Sequence, residues 1–155
     1  KSFWCRFFQK AAVPSGSKNR LQIKNSTFAI VMWSNLLWVG LGGFAGSVMR
    51  YGTGLVIAAL FAERAGRFPW ATLSVNVVGS FVIGLLLQHL ESGSSRHLLG
   101  VVGFCGGFTT FSTFSLESVR LLRAGDTRTA LLYIGLSLAL CLAATALGMT
   151  IKPTK

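Results

Sequence analysis

The sequence predicts an all-α integral membrane protein with four transmembrane helices. Of its 155 residues, 52% are hydrophobic and only 12% are charged, whereas a soluble domain usually carries about 25% charged residues. Four apolar segments follow one another, each with the roughly 20 residues that a helix needs to cross the hydrocarbon of a bilayer. The connectors between them are short and charged. Function must therefore be carried by the helices themselves.

The first 31 residues differ from the rest because they are basic, mixed in character and free of acidic residues. We predict that residues 1–31 are a leader, either a non-native extension or a disordered tail, and that residues 32–155 form the membrane domain. A signal or transit peptide is the alternative, although no clean apolar core followed by a small-residue cleavage site is present. The four spans are predicted at residues 36–60, 70–90, 98–122 and 129–149.

The net charge of +11 could indicate a nucleic-acid partner. The basic residues lie in the leader and the connectors, however, so we expect them to face membrane lipid headgroups and expect no nucleic acid. Without the leader, the basic residues are shared almost evenly between the two sides, which is a weak positive-inside signal. A chain of this kind can insert both ways, and this permits the hypothesis of an antiparallel dimer in the cell membrane.

Enzyme chemistry is not predicted. The two histidines, His89 and His97, flank one connector, and all four acids lie in or near connectors, so we expect no carboxylate inside the membrane. The Gly-x-Gly-x-x-Ala pattern at residues 40–45 lacks the strand-to-helix context of a dinucleotide site. Small residues four positions apart, such as Gly42 and Gly46, are typical instead of closely packed membrane helices.

Two polar side chains lie within predicted spans. Asn76 is near the middle of the second span and must find hydrogen-bonding partners there; it either bonds to another helix or faces water. Arg50 lies in the first span and either extends its side chain to the interface or lines an aqueous vestibule. The residue types alone leave both alternatives open.

The most informative segment is residues 103–115, Gly-Phe-Cys-Gly-Gly-Phe-Thr-Thr-Phe-Ser-Thr-Phe-Ser. Glycines followed by a Thr-Thr pair favour a break in the helix, and irregular backbone is tolerated inside a membrane only where protein or a cavity surrounds it. Such a break exposes carbonyls for a cation and N–H groups for an anion. Phe111 and Phe114 share one helical face and can present positive ring edges to an anion. An aromatic packing stripe on a kinked helix is the alternative.

Three blocks of residues, at 42–54, 72–81 and 103–117, give the chain a family resemblance. In this order and at membrane spacing, they resemble the Fluc (CrcB-type) fluoride channels, and the likeness covers residues 32–155. The resemblance implies a dual-topology, antiparallel homodimer that exports fluoride passively and keeps its cytoplasmic concentration low. It also implies a third helix broken mid-membrane and a structural sodium ion at the dimer interface.

The resemblance assigns roles to individual positions. Main-chain carbonyls of Gly106 and Thr109 are implied to hold the sodium ion, and Arg50 is implied to line the vestibule. The residues implied to form the fluoride pathway are Asn76, Phe111 and Phe114, with polar positions at Thr72, Ser112, Thr113, Tyr133 and Ser137. These amide and hydroxyl donors suit fluoride, because a pore must replace the water around a small, strongly hydrated ion.

Two other functions were weighed. A small four-helix multidrug transporter would need an acid embedded in the first span, and residues 36–60 contain none. A membrane subunit that only packs against partners would not need the hydroxyl cluster at residues 109–115. The expected lack of a carboxylate inside the membrane also favours a passive route, because proton-coupled carriers usually need one.

Overall fold

The computed structural model describes residues 18–61 and 67–152, with side chains from Ile30 onward. A boundary between residues 34 and 35 divides the chain into two units, and every predicted site residue lies in the second. The described residues are helical and contain no strand. The helices are α1 (Lys18–Phe61), α2 (Trp70–His89), α3 (the consecutive stretches Ser95–His97, Leu98–Cys105 and Gly106–Phe108), α4 (Phe111–Arg123) and α5 (Thr127–Thr150).

The prediction of four membrane spans is confirmed. Four helical regions are long and apolar enough to cross a bilayer: Ile30–Phe61, Trp70–His89, Ser95–Arg123 and Thr127–Thr150. Helix α1 begins at Lys18, so the later part of the predicted leader is helical. Residues 1–17 lie outside the described residues, and the non-native origin of the leader stays a prediction.

Polar side chains mark where the helices begin. Thr110 caps α4 by accepting a hydrogen bond from the backbone N–H of Thr113 at 3.2 Å. Asp126 caps α5 by accepting one from Thr129 N–H at 3.3 Å. Such caps satisfy N–H groups that the first turn of a helix leaves unpaired. Between α4 and α5, Gly125 adopts φ 76°, a left-handed conformation that glycine accepts without steric cost and that turns the chain back.

Helices α2 and α5 form the most extensive helix pair and run in the same direction. They approach backbone to backbone where Gly84 meets Gly148 and Thr145, and Thr145 Oγ1 donates a hydrogen bond to Ser80 O at 3.1 Å. The buried core lies near the N-terminal ends of α2 and α5, where α4 packs against both helices. Its members are Leu73, Leu121, Ala130 and Tyr133, with Phe68, Val77 and Phe114 packed against them.

Polar and small residues at every fourth position of α2 face its partners. This set of anchors consists of Thr72, Asn76, Ser80 and Gly84, which contact Glu117, Thr110, Thr145 and Gly148 respectively. Residues four apart lie on one face of a helix. The anchors therefore fix the rotation of α2 about its own axis.

Glycines also bring α1 against α3, and their spacing predicted close packing of this kind. A side-chain carbon at Gly42 or Gly46 would collide with backbone atoms of Leu99 or Phe104, and Gly107 lies against the backbone of Gly43. Residues Leu98–Cys105 at this contact wind as a π-helix, in which hydrogen bonds join each residue to the fifth one along. The sequence pattern did not predict this winding.

Candidate functional site

The helix of the third span is interrupted at two threonines. Thr109 and Thr110 are extended, with φ/ψ of −81°/159° and −149°/113°, between the end of α3 and the start of α4. The interruption removes regular hydrogen bonds at the helix ends. In a membrane, those backbone groups need partners from elsewhere in the protein.

Asn76 of α2 supplies two of these partners. Its amide nitrogen donates to the carbonyl oxygen of Thr110 at 3.1 Å, and its amide oxygen accepts from the backbone N–H of Thr110 at 2.8 Å. The residue types left two roles open for Asn76, and the structure shows the bond to another helix. Asn76 also lines a cavity, so it holds the interruption and borders open space.

Hydroxyl groups gather around the interruption. Thr110 Oγ1 donates to Thr113 Oγ1 at 3.0 Å and lies 3.3 Å from Ser112 Oγ. Thr109 Oγ1 turns back and donates to the Cys105 carbonyl at 2.9 Å. Two of the predicted pathway residues, Ser112 and Thr113, are thus brought together by Thr110, which the prediction had placed at the helix break but not on the pathway.

One cavity, of about 380 Å³, opens beside the interruption. The rings of Phe111 and Phe114 both line it, with their centroids 5.5 Å apart, and Phe111 is 77% exposed within this single chain. Ser137 lies in the same wall, and its buried Oγ has no hydrogen-bonding partner among the described residues. The cavity wall therefore combines phenylalanine rings with a buried hydroxyl that lacks a partner among the described residues.

A second cavity, of about 350 Å³, shares Thr110 with the first. Arg50 borders it together with Thr72 and Thr113. The structure therefore brings Arg50 to the polar residues of α2 and α4. Its assignment to a vestibule stays a prediction, but the two cavities place the Thr109–Thr110 interruption between an arginine on one side and the phenylalanine pair on the other.

One carboxylate lies within the helical region that includes the third span, six residues before that region ends; the expectation that no carboxylate lies inside the membrane stays a prediction. Glu117 belongs to the span Ser95–Arg123 and is only partly exposed. Its Oε1 accepts a hydrogen bond from Thr72 Oγ1 at 2.9 Å, and its Oε2 accepts one from Tyr133 OH at 2.8 Å. We expected Thr72 and Tyr133 to lie on the pathway, and Glu117 is the residue that joins them.

A signal for Glu117 was present in the sequence. It lies within the predicted third span, and an ionisable residue inside a span is a functional-site candidate by default. The next connector begins at Arg123, only six residues after Glu117. The sequence prediction therefore placed Glu117 near a connector and not inside the membrane. The ring of Tyr133 packs against Phe114 with centroids 5.2 Å apart, so the carboxylate is linked to the phenylalanine pair through one side chain.

The backbone at the interruption has features that fit a cation. No group of three or more His, Cys, Asp or Glu side chains that could hold a metal occurs among the described residues, so the ligands would be backbone oxygens. Thr110 N–H would bond to the Gly106 carbonyl in a continuous helix, but it bonds to Asn76 instead. Gly106 also faces open space. Its carbonyl and that of Thr109 therefore suit the predicted sodium site.

Residues 37–149 match the family described as "CrcB-like protein, Camphor Resistance (CrcB)". The chain belongs to this family. It is a multi-pass membrane protein, as its four apolar spans and this membership show. The match includes all four predicted spans almost completely and every residue assigned to the candidate site.

Curated relatives of the chain in this family carry the name "Fluoride-specific ion channel FluC". The relative from Magnetococcus marinus is 43% identical over 120 residues, covering 75% of this chain and 95% of its own length. The relative from Acidobacterium capsulatum is 44% identical over 120 residues, covering 74% and 93%. The one from Elusimicrobium minutum is 47% identical over 110 residues, covering 71% and 86%.

Proposed function

We propose that this CrcB-family chain is a fluoride-selective ion channel that exports fluoride passively and so lowers its cytoplasmic concentration. The single observation that carries the proposal is the cavity beside the interrupted helix, where Asn76 and Ser137 meet the rings of Phe111 and Phe114. The names of relatives that are more than 40% identical over most of their length support the choice of fluoride.

Fluoride enters such a site only if hydrogen-bond donors replace its water. Ser137 offers a hydroxyl with no other partner among the described residues, while Ser112 and Thr113 offer hydroxyls next to the interruption. Ring edges of Phe111 and Phe114 add a weakly positive surface. A narrow passage lined in this way accepts a small anion and excludes the larger chloride.

The active unit in this proposal is an antiparallel homodimer. Phe111 and Gly106 lie on the open side of the chain, so the phenylalanine wall is completed by a second copy. Sodium bound to the carbonyls of Gly106 and Thr109 would neutralise their partial negative charge. Both residues line the open cavity, which supports this placement of the ion.

Glu117 favours a second candidate, a proton-coupled fluoride carrier, because carboxylates inside membranes often carry protons. Its two hydrogen bonds argue for the passive route. Each carboxylate oxygen accepts a hydrogen bond from one hydroxyl, so the side chain is fixed by contacts within the protein.

Fluoride efflux from liposomes containing the full chain tests the proposal. A fluoride electrode should record fast release, with no chloride release from matched vesicles. A folded, dimeric preparation that releases no fluoride would overturn the proposal. Fluoride movement against its own gradient when a pH gradient is imposed would instead establish the carrier.

A further inference from the structure

A separate pocket of about 390 Å³ lies at the end of α4, next to Glu117. Two arginines, Arg67 and Arg120, border it, and both are exposed. Its remaining lining residues are Pro69, Leu121 and Ala124. None of these apolar residues can bind an ion, so the chemistry of the pocket is that of two guanidinium groups beside one carboxylate.

Positive charge exceeds negative charge in this pocket, because two arginines share it with one carboxylate. The Glu117 carboxylate is engaged by Thr72 and Tyr133. At the nearby start of α5, the side chain of Asp126 accepts the capping bond of Thr129. No described acidic side chain forms an ion pair with Arg67 or Arg120.

Aromatic side chains indicate the depth of the pocket in the membrane. The ring of Trp70 lies 4.4 Å from that of Phe68 and 5.9 Å from that of Phe61, measured between centroids, and Trp70 is 38% exposed. Tryptophan is enriched at membrane–water interfaces. Since Arg67 and Pro69 of the pocket flank Phe68 in the chain, the pocket lies at the level of lipid headgroups.

We propose that Arg67 and Arg120 bind the phosphate of an anionic phospholipid headgroup at the mouth of the pathway. Guanidinium groups bind phosphate through paired, charge-assisted hydrogen bonds, and clusters of basic residues at the membrane surface attract anionic lipids. The membrane interface supplies this ligand at high local concentration, whereas free phosphate would have to be recruited from solution.

The effect on flux rests on the proposed function. A phosphate held beside Glu117 adds negative charge where a fluoride ion approaches Thr72 and Tyr133. Like charges repel over a Debye length of about 8 Å at physiological ionic strength. Anionic lipid should therefore slow fluoride flux, and removal of the two arginines should abolish this slowing.

Lipid retention by the full chain tests the site without any flux measurement. The protein is purified from mixed micelles of phosphatidylglycerol and phosphatidylcholine, and bound lipid is measured by native mass spectrometry. R67Q/R120Q should retain at least about tenfold less phosphatidylglycerol than wild type, because the double variant loses the charge-assisted hydrogen bonds of both guanidinium groups. R123Q is the matched control, because Arg123 carries the same charge on the same helix without lining the pocket. It should retain lipid like wild type.

Fluoride flux in vesicles of phosphatidylglycerol and of phosphatidylcholine then tests whether the bound anionic lipid slows conduction. Wild type and R123Q should conduct several-fold more slowly in phosphatidylglycerol than in phosphatidylcholine, and R67Q/R120Q should conduct equally fast in both.

Equal lipid retention by R67Q/R120Q and wild type would overturn the proposal, as would full displacement of the lipid by millimolar inorganic phosphate. Slower flux of R67Q/R120Q in phosphatidylcholine, with no response to phosphatidylglycerol in wild type, would show that the arginines recruit fluoride instead. Absence of flux in every vesicle would refute the channel and leave the retention result standing.

Discussion

Asn76 and Thr110 are joined by two hydrogen bonds, one in each direction, across α2 and the interruption between α3 and α4. The amide oxygen thus replaces the helical partner that the Thr110 N–H lacks, and the amide nitrogen adds a second bond to the carbonyl of the same residue. Asparagine suits this position because its side chain carries a donor and an acceptor side by side. Neither an ionised acid nor an apolar residue of similar size can form both bonds.

Replacing Asn76 should therefore destabilise the interruption in steps. Asn76→Leu leaves the backbone N–H of Thr110 unpaired and removes a second bond to its carbonyl, so it should lower the free energy of unfolding by about 1–3 kcal/mol. Asn76→Asp keeps the hydrogen-bond acceptor, so it should lose less stability than Asn76→Leu. It should nevertheless block fluoride flux, because it places a negative charge on the proposed fluoride pathway. Thermal unfolding in detergent, paired with liposome flux, measures both effects. An Asn76→Leu protein as stable as wild type would contradict the bonding role.

The Tyr133–Glu117 hydrogen bond predicts an energetic coupling between these two residues. Tyr133→Phe and Glu117→Gln each disturb the same contact, so the double variant should be less destabilised than the sum of the single variants by at least about 0.5 kcal/mol. A double-mutant cycle on unfolding free energies measures this difference.

Ser115 provides the control for that cycle. Its hydroxyl donates only to the Phe111 carbonyl of its own helix, so Ser115→Ala and Tyr133→Phe should be additive. Additivity in both cycles would show that the carboxylate is not coupled to the tyrosine.

Two glycines of α5 should respond in opposite ways to alanine. A side-chain carbon at Gly148 would collide with backbone atoms of Phe81 and Leu85, whereas nothing lies within 4 Å of one at Gly135. Gly148→Ala should destabilise the protein by about 1–3 kcal/mol through overpacking, and Gly135→Ala should be neutral or stabilising because alanine favours helix. Melting temperatures of the two variants in one detergent decide it, and equal shifts would refute the close approach of α2 and α5.

Flux through the proposed pathway should depend on the phenylalanine pair. Phe111→Ile and Phe114→Ile remove the ring edges from the cavity wall and should each lower fluoride flux at least tenfold, the effect of losing roughly 1.4 kcal/mol of stabilisation. Phe44→Ile is the control, because Phe44 of α1 is 74% exposed, much like Phe111, yet does not line the cavity. Unchanged flux in both pathway variants, in folded protein, would remove these rings from the mechanism.

Hydropathy and spacing were sufficient to predict the coarse architecture. Four spans emerged because each apolar segment matches the thickness of a bilayer. Close packing at Gly42 and Gly46 was foreseen, since small residues four apart leave a groove on a helix surface, but the spacing did not indicate that α3 fills this groove. The Thr109–Thr110 segment stood out because glycine and hydroxyl residues are rare together in an apolar span.

Other features depend on contacts between residues distant in the chain. Glu117 meets Thr72 and Tyr133, which are 45 and 16 residues away, and no local pattern links the three. The π-helical winding of Leu98–Cys105 was not foreseen because hydrophobic periodicity does not distinguish it from an α-helix over so few residues. Helical structure from Lys18 was not foreseen because the basic, mixed composition of the leader gives no periodic signal.

The four anchors of α2 limit how related sequences can change in length. One residue inserted or deleted between Thr72 and Gly84 would turn everything beyond it by about 100°. At least one anchor would then point away from its partner and into lipid. Alignment gaps among functional members of the family are therefore expected in the connectors and the leader, and the stretch of α2 from Thr72 to Gly84 should be free of them.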